Sequence, residues 1–161
     1  MAKIKVGIAE LAVARFPDSV TTLGLGSCVG VAIYDETKRI AGLVHIMLPS
    51  MDLAKGAEFN RAKFADSGIP QLLEMMLRAG ALGRRLTAKI AGGAQMFNFS
   101  DKENSVRIGS RNVEACKRTL QNLGIPLRAE DTGGSFGRTV EIFSETGLYE
   151  IRAVGRNKKI I

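Results

Sequence analysis

The chain has 161 residues, a formal charge of +7, two cysteines and one histidine. That length suits a single domain, 1–161, with a real core. No run approaches the ~20 apolar residues of a membrane span, the start MAKIKVGIAE lacks the apolar stretch of a secretory signal, and the cysteines and histidine are too few and too scattered for a zinc site.

These features predict a cytoplasmic protein with no membrane insertion, no metal, no cofactor and reduced thiols. The positive charge is spread along the chain apart from GRNKK (155–159). No basic patch is interleaved with aromatics, so no nucleic-acid partner is expected. The charge suits solubility, or attraction to an acidic protein surface.

In chain order, KIKVGIAELAVA (3–14) alternates apolar residues at Ile4, Val6 and Ile8 and predicts an opening strand. FPDS is a turn, and VTTLGL (20–25) is a short strand running into a glycine turn. VGVAIY (29–34) and RIAGLVHIM (39–47) predict two strands joined by DETK. The polar stretch 49–68 predicts a loop with a helical turn. IPQLLEMMLRAGALG (69–83) predicts a helix with Pro70 in its first turn, Gly80 or Gly83 at its end, and Met75 and Met76 as core filler.

LTAKIAGGAQMF (86–97) predicts a strand ending in a double glycine. SRNVEACKRTLQNLG (110–124) predicts a helix capped by Ser110, with Val113, Cys116, Leu120 and Leu123 on one face. Gly124 ends it and Pro126 prevents its resumption. LRAEDTGG, RTVEIFS and LYEIRAV predict three closing strands, the last two a hairpin around ETG. The sum is a layered α/β (α+β) domain with a largely antiparallel sheet and two inserted helices.

Cys28 follows a Gly-Leu-Gly-Ser turn and precedes an apolar strand, where backbone and thiol can be approached. A two-residue turn at Glu36–Thr37 would set Asp35 opposite Lys38 and, further down the ladder, Cys28 opposite His45. Opposed residues share a face, with Cβ atoms ~4.5–5.5 Å apart. A neighbouring imidazole can take the thiol proton and later return it to a leaving amine. Backbone N–H groups of Gly26–Ser27–Cys28 could hold an oxyanion, and Thr22 could orient the base. The plainer reading of a lone histidine or cysteine is core packing, and Cys116 takes that reading. GLGSC lacks the third glycine and the following helix of a phosphate loop.

TLGLGSCVGVAIYD, GLVHIMLP, AKIAGGAQMF, IGSRNVEA and AEDTGGSFGRTVEIFSETG together resemble CheD, the chemoreceptor glutamine deamidase family, over about residues 3–154. The resemblance implies a central β-sandwich with flanking helices, similar to the catalytic domains of deamidating toxins. It implies Cys28 as nucleophile, His45 as base and acid, and Thr22 as orienting residue, with Thr21 the alternative if the strand is offset. It implies a thioester intermediate, glutamine side chains of the helical chemotaxis-receptor cytoplasmic domain as substrate, and the phosphatase CheC as a further partner. Gly26, Ser27, Gly133, Gly134 and Ser135 are expected at the substrate groove, although plain turn geometry also accounts for the glycines. The competing readings are a non-catalytic adaptor for CheC and a redox sensor built on Cys28, which lacks a resolving cysteine.

Overall fold

The chain folds, in a computed structural model that describes residues 1–56, 59–96 and 107–161, as two stacked sheets with helices on one side. The first sheet has the order β1 (Lys3–Val6), β3 (Ser19–Leu25), β8 (Arg138–Phe143), β9 (Tyr149–Arg152), β10 (Lys159–Ile160). The second has the order β2 (Leu11–Arg15), β5 (Ile40–Ile46), β4 (Val29–Asp35), β6 (Leu86–Gly92), β7 (Leu127–Thr132). Among the described residues, β1–β3 and β6–β7 are the parallel pairs and the rest are antiparallel. The layered, mostly antiparallel α/β expectation holds.

Helices α1 (Ala65–Arg78) and α2 (Ile108–Asn122) pack on the outer face of the second sheet. That sheet is therefore buried on both sides. Val31, Ile33, Val44 and Ile46 meet Ile69, Leu72, Met76 and Leu120 on the helical side. Ala32, Ala41 and Leu43 meet Val20, Val140, Ile142 and Tyr149 of the first sheet on the other. Burial on both faces is why β4 and β5 read as near-continuous apolar runs. Gly30 sits in the inter-sheet gap because a Cβ there would lie 2.7 Å from the Tyr149 hydroxyl. That hydroxyl donates to the Gly30 carbonyl at 2.8 Å.

Three expectations are corrected. The opening strand is two strands in different sheets. The chain reverses at Gly7–Glu10, where Ala9 has φ +61° and Glu10 Oε1 accepts from the Gly7 N–H at 2.6 Å. Ile8 continues the apolar alternation in sequence, yet it lies in this turn and is exposed.

The first helix starts at Ala65, not Ile69. Ser67 and Gly68 look like loop residues, but they face the turn before the helix. Ser67 Oγ donates to Arg61 O at 2.8 Å, and a Cβ on Gly68 would crowd Ile46. Pro70 consequently lies beyond the first turn. Ser110 likewise falls inside α2, which begins at Ile108.

The β4–β5 register is the third. Asp35 pairs with Ile40 across a four-residue loop, so Gly30, not Cys28, stands opposite His45. A two-residue hairpin turn needs positive φ at its first central position or at both, which Glu36 and Thr37 do not favour. Instead Asp35 Oδ1 accepts from the N–H groups of Thr37 and Lys38 at 3.0 and 3.1 Å, and Arg39 takes φ +53°. Because the shift is two residues, side-chain faces are unchanged.

Candidate active site

The turn between β3 and β4 is held by its carbonyls. Gly26 O accepts from Ala94 N at 2.8 Å, Ser27 O from Asn112 Nδ2 at 2.9 Å, and Cys28 O from Gly93 N at 2.8 Å. Gly92 makes this close approach possible, since a Cβ there would lie 2.2 Å from Cys28 O. Gly26 N donates to Gly24 O at 3.1 Å, which removes it from the expected set of oxyanion donors. The N–H groups of Ser27 and Cys28 have no partner among the described residues. Cys28 is half-buried at the edge of the inter-sheet core, and burial pushes its thiol pKa up. Cys116 is fully buried on α2, and burial raises its thiol pKa far more.

His45 lies in β5 with no solvent exposure. Its N–H donates to Glu10 O at 3.0 Å and its carbonyl accepts from Ala9 N at 3.1 Å. These bonds turn its peptide groups away from β4 and make Gly30–His45 a non-hydrogen-bonded pair, the closer kind. Cys28 lies in the turn two residues before Gly30, the residue opposite His45, and packs against the inter-sheet core.

Thr22 of β3 reaches His45 from the opposite sheet, with Oγ1 2.8 Å from Nδ1. The same Oγ1 donates to Val6 O at 2.8 Å. A hydroxyl has one proton and a carbonyl can only accept. The Thr22 oxygen therefore accepts from Nδ1–H, which leaves the Nε2 lone pair free. Nε2 is buried without a partner. Burial pulls the imidazole pKa down to about 4, so the ring is neutral at neutral pH. Thr21 points to the other face, where its hydroxyl donates to Val140 O at 2.7 Å.

One residue at this site escaped the sequence reading. Asn112 of α2 is fully buried, and its Nδ2 donates to Ser27 O at 2.9 Å and to Met47 O at 2.8 Å. Met47 follows β5 directly, so a single amide joins the cysteine turn to the end of the histidine strand. The signal was present: Asn112 lies four residues before Cys116, on the apolar face of the helix, where a polar group requires hydrogen bonds.

The 133–135 segment is more remote. Gly133 N donates to Gly92 O at 3.0 Å, and Gly134 O accepts from Gln95 N at 2.9 Å. These two glycines flank the 92–95 stretch that itself holds Gly26 and Cys28. Ser135 is exposed on the surface. The guanidinium groups of Arg138 and Arg156 lie over the ring of Phe136 beside it, at 4.4 and 3.8 Å from its centroid. Among the described residues no cluster of three acidic, cysteine or histidine side chains could hold a metal.

Fold and site together define a class, a three-layer α/β domain with a thiol and a neutral imidazole at one end of its sheet pair. The family model for CheD, described as CheD chemotactic sensory transduction, matches residues 47–153, and the chain belongs to the CheD family. It is 51% identical over 158 residues to a chemoreceptor glutamine deamidase CheD of Halalkalibacterium halodurans, covering 98% of both chains. It is 49% identical over 158 residues to the protein of that name from Bacillus subtilis, covering 98% of this chain and 95% of the relative. Among solved structures, the C-terminal domain of CNFy from Yersinia pseudotuberculosis aligns over 99% of this chain and 62% of that one, with 10% identity and a TM-score of 0.44.

Proposed function

We propose that the chain is a protein-glutamine glutaminase. It hydrolyses selected glutamine side chains on the helical cytoplasmic domain of chemotaxis receptors to glutamate and releases ammonia. Membership of the CheD family and the names of its relatives support the substrate class.

Cys28 Sγ attacks the side-chain carboxamide carbon while His45 Nε2 takes the thiol proton. The N–H groups of Ser27 and Cys28 hold the oxyanion. The imidazolium returns its proton to the departing nitrogen, and ammonia leaves a thioester on Cys28. Water, deprotonated by Nε2, opens the thioester to give glutamate and restores the thiol. Thr22 keeps the proton on Nδ1 throughout, so that Nε2 faces the chemistry as a base. The observation that carries this reading is the hydrogen-bond chain from His45 Nδ1 through Thr22 Oγ1 to Val6 O.

The test is incubation with a purified receptor cytoplasmic fragment and mass spectrometry for gains of about 1 Da at glutamine. Glutamate formation by the parent chain and its loss in folded Cys28→Ala is expected. Equal modification by both proteins defeats the proposal, and no modification by either leaves the adaptor reading standing. The family resemblance extends the proposal to CheC as a second partner. Competition between CheC and the receptor fragment for this chain, measured by co-sedimentation, checks that part.

A further inference from the structure

We infer that a basic cavity at the end of the sheets away from Cys28 binds a small phosphate-bearing anion, a property separate from the proposed reaction. The cavity has a volume of about 600 Å³, within the ~300–1,000 Å³ usual for small-molecule sites. It opens between the β8–β9 turn of the first sheet, at Thr146 and Gly147, and the starts of β6 and β7 in the second. Every stretch of chain that lines it, 32–37, 84–89, 126–128 and 142–147, lies within the described residues.

Its position follows from the strand register. Val29, next to Cys28, pairs with Gly92, whereas Asp35, next to the cavity, pairs with Leu86. The seven residues of β4, at ~3.3 Å each, set the cavity about 20 Å from the cysteine turn.

Arg84, Arg85, Lys89 and Arg128 line the cavity against one carboxylate, that of Glu36. Elsewhere Arg61, Lys117, Arg138, Arg152 and Lys159 each pair with a carboxylate. The guanidinium groups of Arg84 and Arg128 are exposed and have no hydrogen-bond or ion-pair partner among the described residues. Two unpaired guanidinium forks suit the several oxygens and multiple charge of a phosphate, which they can bind through paired, charge-assisted hydrogen bonds. A single carboxylate would leave most of this positive charge unmatched.

The walls are held before a ligand arrives. Lys89 Nζ donates to Gly147 O at 2.8 Å and to Ile161 O at 2.9 Å, which ties β6 to the β8–β9 turn. Tyr34 Oη donates to Ser144 O at 2.9 Å and makes a second tie between the sheets. The Arg85 guanidinium donates to Thr37 Oγ1. The ordering cost of binding therefore falls mainly on Arg84 and Arg128. Burial holds the Lys89 pKa below the usual lysine range, and a bound anion offsets that penalty.

The experiment is isothermal titration calorimetry at low salt with ADP, pyrophosphate, adenosine and malonate. The parent is compared with Arg84→Gln/Arg128→Gln and with Arg78→Gln/Arg118→Gln, which removes the same charge from exposed positions on α1 and α2. ADP or pyrophosphate is expected to bind the parent saturably, about tenfold or more weaker in the cavity variant and within about twofold in the control variant. Adenosine is expected not to bind. ADP tighter than pyrophosphate marks a phosphate carried on an organic body, and equal or tighter pyrophosphate marks a free one. On the parent alone, amide NMR shifts are expected at Thr87, Arg128 and Thr146, so the test stands whatever the stability of the variants. Equal weakening in both variants overturns the site in favour of general attraction to the net charge. Malonate binding as tightly as pyrophosphate overturns the phosphate assignment. The absence of saturable binding, or shifts confined to Ser27–Gly30, overturns the site altogether.

Discussion

At the scale of single residues, the site rests in its neutral form. Burial lowers the His45 pKa from 6.5 to about 4 and raises that of Cys28, so thiol and imidazole coexist without a preformed ion pair. The neutral imidazole, the form that the proposed mechanism uses as base, then persists down to about pH 4. The acid limb of kcat/KM on a small glutaminyl peptide is expected nearer 4 than 6.5, and iodoacetamide is expected to alkylate Cys28 more slowly at pH 7 than it does a free thiol. An acid limb at 6.5 or above would show an imidazole that burial does not depress, and rapid alkylation at pH 7 would show a thiolate–imidazolium pair. Stability follows the same sign. The unfolded imidazole takes a proton first, so the contribution of His45 is complete above pH 6.5 and is lost as pH falls toward 4. The register expected to set Cys28 opposite His45 was wrong by two residues, an error that leaves the faces of the β4 side chains unchanged. The error itself arose at Asp35, whose side-chain bonds to Thr37 and Lys38 select a longer loop than the strand pattern alone implies.

At the scale of elements, helix α2 sets the distance between the two halves of the site. Its Asn112 bridges the turn before β4 and the residue after β5, so the helix fixes the strand ends that bear Cys28 and His45. In Asn112→Ala both carbonyls lose a buried donor, and an unmet buried polar group costs roughly 1–3 kcal/mol. The expected result is a lower Tm and, at temperatures where the variant remains folded, a kcat reduced about tenfold with a smaller change in KM. Asn112→Asp is expected to be worse, since it sets carboxylate oxygens against carbonyl oxygens. A folded Asn112→Ala with parental kcat would reduce the residue to a structural role. Apolar periodicity was sufficient to find α2 and most strands. It could not divide β1 from β2, because Ile8 keeps the alternation while Ala9 reverses the chain. Nor could it show β6 and β7 to be parallel, because their pairing depends on where α2 returns the chain and not on either strand's own residues.

At the scale of the molecule, the three layers follow from a second sheet that is apolar on both faces, and this was readable in VGVAIY and RIAGLVHIM once small residues are recognised as the sheet-facing side. The net charge of +7 has a consequence specific to this reaction. Each turnover converts a neutral carboxamide into a carboxylate, so the product surface is more acidic than the substrate surface and is attracted more strongly to a cationic enzyme. Coulombic attraction speeds encounter and also holds the product, and salt weakens both, with a Debye length of ~10 Å at 0.1 M falling to ~3 Å at 1 M. On a receptor fragment, kcat/KM is therefore expected to fall about tenfold between low and ~0.5 M salt, the usual sign of steered association. Over the same range kcat is expected to rise or stay level, because release of the acidic product becomes easier. A short neutral glutaminyl peptide should show neither trend. Steady-state kinetics across a salt series on both substrates decides the matter. A flat kcat/KM for the receptor removes steering, and a peptide that follows the receptor traces the effect to the catalytic groups instead of the surface charge.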